Sequence, residues 1–220
     1  MRALLLRQAN ARPCLGRWFH AAALVMVLLV GAEASAQMAN TPPRSGFLAI
    51  RRHAVMPVPG WIRFCRHRPD ECAVGSSEPA TIALTPQGWE ALTRINRQVN
   101  AGIRPITDQE HWGVADRWDL AEDGYGDCED FQLVKRKRLV AAGLPRRALR
   151  MTAVIDRDGA PHSVLMARTD QGDFILDNKR DAVLPWRQTG YVFLQREGGT
   201  GSTWVSLGAA PALPVRTAGR

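Results

Sequence analysis

The sequence predicts an α+β fold, with helices of the N-terminal half packed on an antiparallel β-sheet supplied by the C-terminal half. Three observations lead there. Two stretches before residue 143 have the starts, stops and apolar spacing of helices. From residue 151 onward the pattern changes to short runs of β-formers separated by turns rich in Asp and Gly. The chain has 220 residues, 45% hydrophobic and 23% charged, an ordinary composition for one globular domain with one core.

The first 36 residues stand apart from that domain. Arg2, Arg7, Arg12 and Arg17 come without an acid, and the apolar run Ala21 to Val30 follows. Ala34-Ser35-Ala36 then gives the small-x-small pattern of a signal peptidase site. The run is shorter than the ~20 apolar residues that span a bilayer. Residues 1–36 are therefore expected to be a signal peptide cut after Ala36, with an uncleaved anchor as the alternative. No Arg-Arg pair is present there, so the general secretory route to the periplasm is expected. Cleavage lowers the formal charge from +8 to +5. That modest excess, with no aromatic residues interleaved among the basic ones, argues against nucleic acid as a partner. A monomer is expected.

Residues 37–60 are rich in Pro, Gly and Ala and read as an N-terminal arm and loop. The domain is expected over 61–208, followed by a loose tail, 209–220. Cys65 and Cys72 have six residues between them. Outside the cytoplasm they suit a small disulfide loop better than a zinc site with His67 and His53, because paired zinc cysteines usually have two to four residues between them. Thr85 and Pro86 are the N-cap and first position of a helix ending near Gly102. Its stripe Trp89, Leu92, Ile95 and Val99 is core packing, and Asn96 and Asn100 beside it read as local hydrogen bonders. Residues 103–125 have no clean period and read as loop.

The centre of the sequence is Gly126-Asp127-Cys128-Glu129-Asp130-Phe131. A helix is expected from Cys128 to Ala142, capped by Asp127 or Gly126, with acids in its first turn and Gly143-Leu144-Pro145 as its stop. Phe131, Val134, Leu139 and Ala142 give an approximate buried face. Lys135 to Arg138 read as cations placed for the helix dipole. Strands are expected over 151–155, 163–167, 174–176, 183–186, 191–194 and 203–207. Asp156-x-Asp158-Gly159 is not a calcium loop, because the position of its bidentate Glu holds Ala167.

Cys128 at a helix N-terminus faces unpaired backbone N–H groups, which favour a thiolate, the nucleophilic form. Asp127, Glu129 and Asp130 oppose this. A histidine paired with the sulfur, or a bound cation, resolves the conflict. Six carboxylates lie between Asp119 and Asp130, a composition that suits a hard cation such as calcium. His162, entering a strand after Pro161, is the first choice of histidine, and His111 the second. If Arg168 stands opposite Asp173, His162 and Asp177 are diagonal neighbours on one sheet face. A loop one residue shorter sends them to opposite faces.

Trp118, the Gly126 to Phe131 block, Lys135, Gly143-Leu144-Pro145, Leu149-Arg150, His162-Ser163-Val164-Leu165 and Leu176-Asp177-Asn178 together resemble the bacterial transglutaminase-like cysteine proteinases. The resemblance runs from about Phe47 to Leu207. It implies a papain/transglutaminase-like fold and a catalytic Cys-His-Asp triad falling on Cys128, His162 and Asp177. It also implies calcium held by Asp127, Glu129 and Asp130, as in periplasmic proteases of the LapG type. Those cut a surface adhesin and are sequestered by an inner-membrane cyclic-di-GMP receptor, so a cell-envelope protein is the implied substrate. Phe131 stands where Tyr is common and Ser163 where Ala is common. Neither change removes a catalytic group. Two other functions fit the same residues: thioester acyl transfer as in a transglutaminase or amidase, and a binding module that keeps the fold without the chemistry.

Overall fold

The computed structural model describes residues 43–201 and 203–208. The expected signal peptide, its cleavage point, and the tail 209–220 lie outside the described residues, as does the side chain of His53. Strand β1 (Arg52–Val55) and helices α1 (Pro59–His67) and α2 (Pro69–Cys72) come first. Then follow α3 (Pro86–Gly102), β2 (Arg104–Pro105), α4 (Asp108–Trp112), β3 (Tyr125–Gly126) and α5 (Cys128–Ala141). The chain closes with β4 (Leu149–Ile155), β5 (Pro161–Thr169), β6 (Gly172–Asp177), β7 (Arg180–Pro185), β8 (Val192–Glu197) and β9 (Trp204–Ser206).

Seven strands make one antiparallel sheet in the order β1-β9-β8-β4-β5-β6-β7. This is the expected α+β arrangement. Helices α3 and α5 pack on one face, where Leu92, Ile95, Val99, Phe131 and Leu139 meet Leu165, Ala167, Phe174 and Leu176. The opposite face carries a smaller cluster of Val154, Val164, Met166, Ile175 and Phe193. Alternation along the strands explains the split: successive side chains of β5 and β6 go to opposite clusters.

The Thr85 hydroxyl accepts the Gly88 N–H at 3.1 Å, so α3 starts where its capping residue dictates. Cys65 and Cys72 are disulfide-bonded, which removes the zinc alternative; His67 instead bonds the Arg63 carbonyl one helical turn back.

The structure differs from expectation in four places. The stretch 37–60 is more than an arm and loop: β1 pairs with β9, and the Leu48 N–H donates to the buried Asp173 carboxylate at 2.8 Å. Residues 103–125 hold α4 and a two-stranded parallel pair, β2 with β3. A capping box of Thr107 and Glu110 starts α4. Helix α5 is buried from Glu129 to Arg136, so it has no single apolar stripe, and Ala142 lies past its end and is exposed. Lys135 and Arg136 are consequently interior groups rather than dipole-matched surface cations, and Arg136 pairs with Glu197 at 2.9 Å. Asn96 and Asn100 are not local bonders either. Their amides reach the carbonyls of Asp177, Arg180 and Asp181 at 2.9–3.0 Å, tying α3 to the β6–β7 turn.

Candidate active site

Hairpin β5–β6 sets the first part of the site. Arg168 stands opposite Asp173 and Leu165 opposite Leu176, the register that makes His162 and Asp177 diagonal neighbours. Both side chains are buried, and His162 Nε2 lies 2.9 Å from Asp177 Oδ1. The same oxygen accepts the Lys179 N–H at 3.0 Å, and Oδ2 accepts the Tyr191 hydroxyl at 2.5 Å. Burial alone would raise the pKa of Asp177. The bond and charge of His162, with the bonds from Tyr191 and Lys179, outweigh it and hold the carboxyl at about 2.

Helix α5 sets the second part. Asp127 precedes it, and the Asp127 N–H donates to Asp130 Oδ2 at 3.2 Å, closing the helix entry. A Cβ at Gly126 would lie 2.8 Å from the Asp130 side chain, so the backbone needs glycine there to turn into the helix. Cys128, the free cysteine among the described residues, is thereby held at the first helical position.

The two parts meet at a cavity of about 1050 Å³ lined by Cys128, Glu129, His162 and Ser163, with Met56, Val58, Ile62, Val114 and Leu194 as apolar walls. Cys128 and His162 line this cavity together, yet they are not hydrogen-bonded. The thiol donates instead to Glu129 Oε2 at 3.0 Å, and the Ser163 backbone N–H also faces the sulfur. Burial, then the charges of Glu129 and Asp127, push the Cys128 thiol well above its ordinary range. His111, the second choice, is paired with Asp123 at 2.8 Å.

The acids form a denser cluster than the sequence indicated. Carboxylate oxygens of Asp108, Asp127 and Asp130 lie within 4.8 Å of one another, as do those of Asp108, Asp116 and Glu129. Burial is the main reason that Asp127 and Glu129 are raised, with Asp130 at about 9 and Asp108 at about 6. Asp127 Oδ1 is buried without a hydrogen-bond partner. Arg63 is ion-paired with Asp116, whose other oxygen accepts the Trp118 indole N–H at 3.0 Å, so the crowded acids of Asp108, Asp127, Glu129 and Asp130 share one guanidinium at their edge. Hard oxygen donors so arranged, with one orphaned oxygen, fit a calcium ion. Asp130 already commits one oxygen to the Asp119 N–H at 2.7 Å and the other to the Asp127 N–H. Asp108 and Asp116 were not singled out as ligands from the sequence. The capping box at Thr107 marks the turn that carries Asp108, and no local signal marks Asp116.

The model of the bacterial transglutaminase-like cysteine proteinase family (BTLCP) matches residues 50–211. No curated protein matches the chain. Among solved structures, LapG of Legionella pneumophila aligns with 27% identity and a TM-score of 0.43, over 50% of this chain and 63% of that one. Its calcium-bound form aligns with 24% identity and a TM-score of 0.47, over 58% and 75% of the two chains. The chain thus spans less than two thirds of the first of these LapG structures.

Proposed function

The chain belongs to the bacterial transglutaminase-like cysteine proteinases, and from that premise we propose that it is an exported cysteine endopeptidase acting on proteins of the cell envelope from the periplasm. One observation carries the reading. An imidazole locked to a buried carboxylate at 2.9 Å shares a cavity wall with the free cysteine at the start of a helix. Among the described residues no helix is long and apolar enough to cross a membrane.

In this reading the Cys128 sulfur attacks a peptide carbonyl carbon and forms the C–S bond. The thiol proton passes to His162. Nε2 is engaged by Asp177, so Nδ1 is the ring nitrogen available for it. The imidazolium then gives that proton to the departing amine as the C–N bond breaks. Water, deprotonated by His162, hydrolyses the thioester and frees the sulfur. Asp177 fixes the imidazole tautomer throughout. Unpaired N–H groups of the first turn of α5 are donors for the oxyanion.

Calcium belongs to the proposal as a resident ion of the acid cluster, held by Asp127, Glu129 and Asp130 with Asp108 and Asp116 as further oxygen donors. Its positive charge lets the acids stay ionised without forcing the neighbouring thiol to keep its proton. A surface adhesin as substrate, and an inner-membrane cyclic-di-GMP receptor as partner, enter through the motif resemblance alone.

The test compares envelope proteins from cells carrying the wild-type chain or Cys128→Ala by mass spectrometry. New protein termini present only with the wild type support a peptidase. Identical termini in both, with both chains folded and exported, overturn it.

A further inference from the structure

Tyr191 lies outside the three residues assigned to the chemistry, yet it touches two of them. Its hydroxyl donates to Asp177 Oδ2 at 2.5 Å. Its ring meets the His162 imidazole edge to face, with centroids 5.9 Å apart and planes at 85°. Asp177 Oδ1 is already shared between His162 Nε2 and the Lys179 N–H. A carboxylate held by one oxygen alone still turns about its last torsion, and the imidazole then loses its fixed partner. With both oxygens held, Oδ1 stays aimed at Nε2.

Tyr191 is itself fixed by the turn before β8. The Thr189 hydroxyl donates to the Trp186 carbonyl at 2.8 Å and accepts the Tyr191 N–H at 3.2 Å. Gly190 adopts φ +73°, a conformation that favours glycine, and this brings the next residue round to the β5–β6 end. We propose that Tyr191 is a positioning residue for the general base: it clamps the second oxygen of Asp177 and walls the His162 ring, so that the imidazole keeps its proton on Nε2 and presents Nδ1 for the thiol. The catalytic meaning of this clamp rests on the cysteine-peptidase reading above.

The test reads the His162 tautomer directly from ¹⁵N chemical shifts in histidine-labelled protein, and needs no substrate. The neutral imidazole of the wild type should show the Nε2–H tautomer alone. Tyr191→Phe, which keeps the ring and loses the hydroxyl, should show a mixture of tautomers with unchanged circular dichroism. Tyr191→Phe in an Asp177→Ala background should add nothing further, because the clamp acts through that acid. A Tyr191→Phe protein that keeps the wild-type tautomer overturns the proposal. If that variant does not fold, exchange of the Tyr191 hydroxyl proton decides. It should be protected in wild type and unprotected in Asp177→Ala; equal exchange in the two overturns the clamp. A chain that cleaves nothing can still pass this test, and an active peptidase can fail it, so the two readings stand or fall separately.

Discussion

The Cys128 thiol donates its hydrogen to the carboxylate of Glu129, its own neighbour in sequence, across 3.0 Å. Burial first, and then Glu129 and Asp127, raise the thiol, so at neutral pH the sulfur holds its proton. A cation in the cluster cancels the second and third of these causes. Iodoacetamide should therefore modify Cys128 in folded protein faster with calcium than with chelator, by tenfold or more at pH 7, since each tenfold corresponds to ~1.4 kcal/mol. The sign is checked by the pH profile: without calcium its alkaline limb lies at higher pH, and calcium moves it down. Asp127→Asn and Glu129→Gln should blunt the response to calcium. A rate indifferent to the ion would remove calcium from the account.

Asp177 carries a stability prediction. Its carboxyl is held at about 2 against a reference of 3.8, a depressed value. The linked stabilisation is present above the unfolded value and is lost as pH falls through the folded one. The difference amounts to ~2 kcal/mol. Urea unfolding between pH 7 and pH 2 should show Asp177→Asn destabilised by about that amount at neutral pH, with the gap closing between pH 4 and 2. A gap constant across that window would mean that the loss is packing rather than charge.

The strands of the hairpin behind that pair were legible from the β-formers on each side of Thr169 to Gly172. Its register was not, because a loop one residue shorter suits the same residues and puts His162 and Asp177 on opposite faces, and it is the structure that sets Arg168 opposite Asp173. The start of α5 was legible from Asp127 and the acids after it. What stayed hidden depends on long-range partners. Asn96 and Asn100 look like polar residues on a helix flank, and nothing local says that their amides bond to carbonyls about 80 residues away. Lys135 and Arg136 look like surface charges. Only a helix packed on all sides makes them interior, and the Glu197 that compensates Arg136 lies in another strand. Tyr191 is one aromatic residue in a strand-like run until the fold sets its hydroxyl against Asp177.

Lys135 gives a prediction of the opposite kind. Its Nζ is buried without a hydrogen-bond partner, and the Phe131 ring lies 5.9 Å away. Burial lowers the ammonium to about 7, against a smaller upward pull from Asp177 and Asp181. The folded protein thus binds fewer protons than the unfolded chain between about pH 7 and 10.5, so this group's cost is fully present below pH 7 and is relieved as pH rises. Lys135→Met keeps the volume and removes the charge. It should stabilise the protein at pH 6 by about 1–4 kcal/mol, the range for replacing buried ions by apolar groups. The gain should shrink toward pH 10, measured as the shift in urea midpoint at each pH. Destabilisation at pH 6 would mean that the ammonium holds the Asp177 region together.

The Cys65–Cys72 bridge joins α1 to α2, and both helices bear on the site and its support. Ile62 and Arg63 of α1 line the cavity, while the Glu71 carbonyl of α2 accepts Arg136 of α5 at 2.9 Å and is also bonded by Arg146. A closed loop this short, with a sequence separation of 7, limits the unfolded chain by about 2.5 kcal/mol. Replacing both cysteines by serine should lower stability by that amount in denaturant titration. Thiol counting on protein lacking residues 1–36 should find one reactive group before reduction and three after, since Cys128 is free and the other two are paired. Because α1 is an edge of the cavity, the reduced protein should also bind peptide-like ligands more weakly than its loss of global stability alone accounts for. A reduced protein with wild-type stability would mean that the packing of Trp61 and Phe64 holds α1 in place without the bridge.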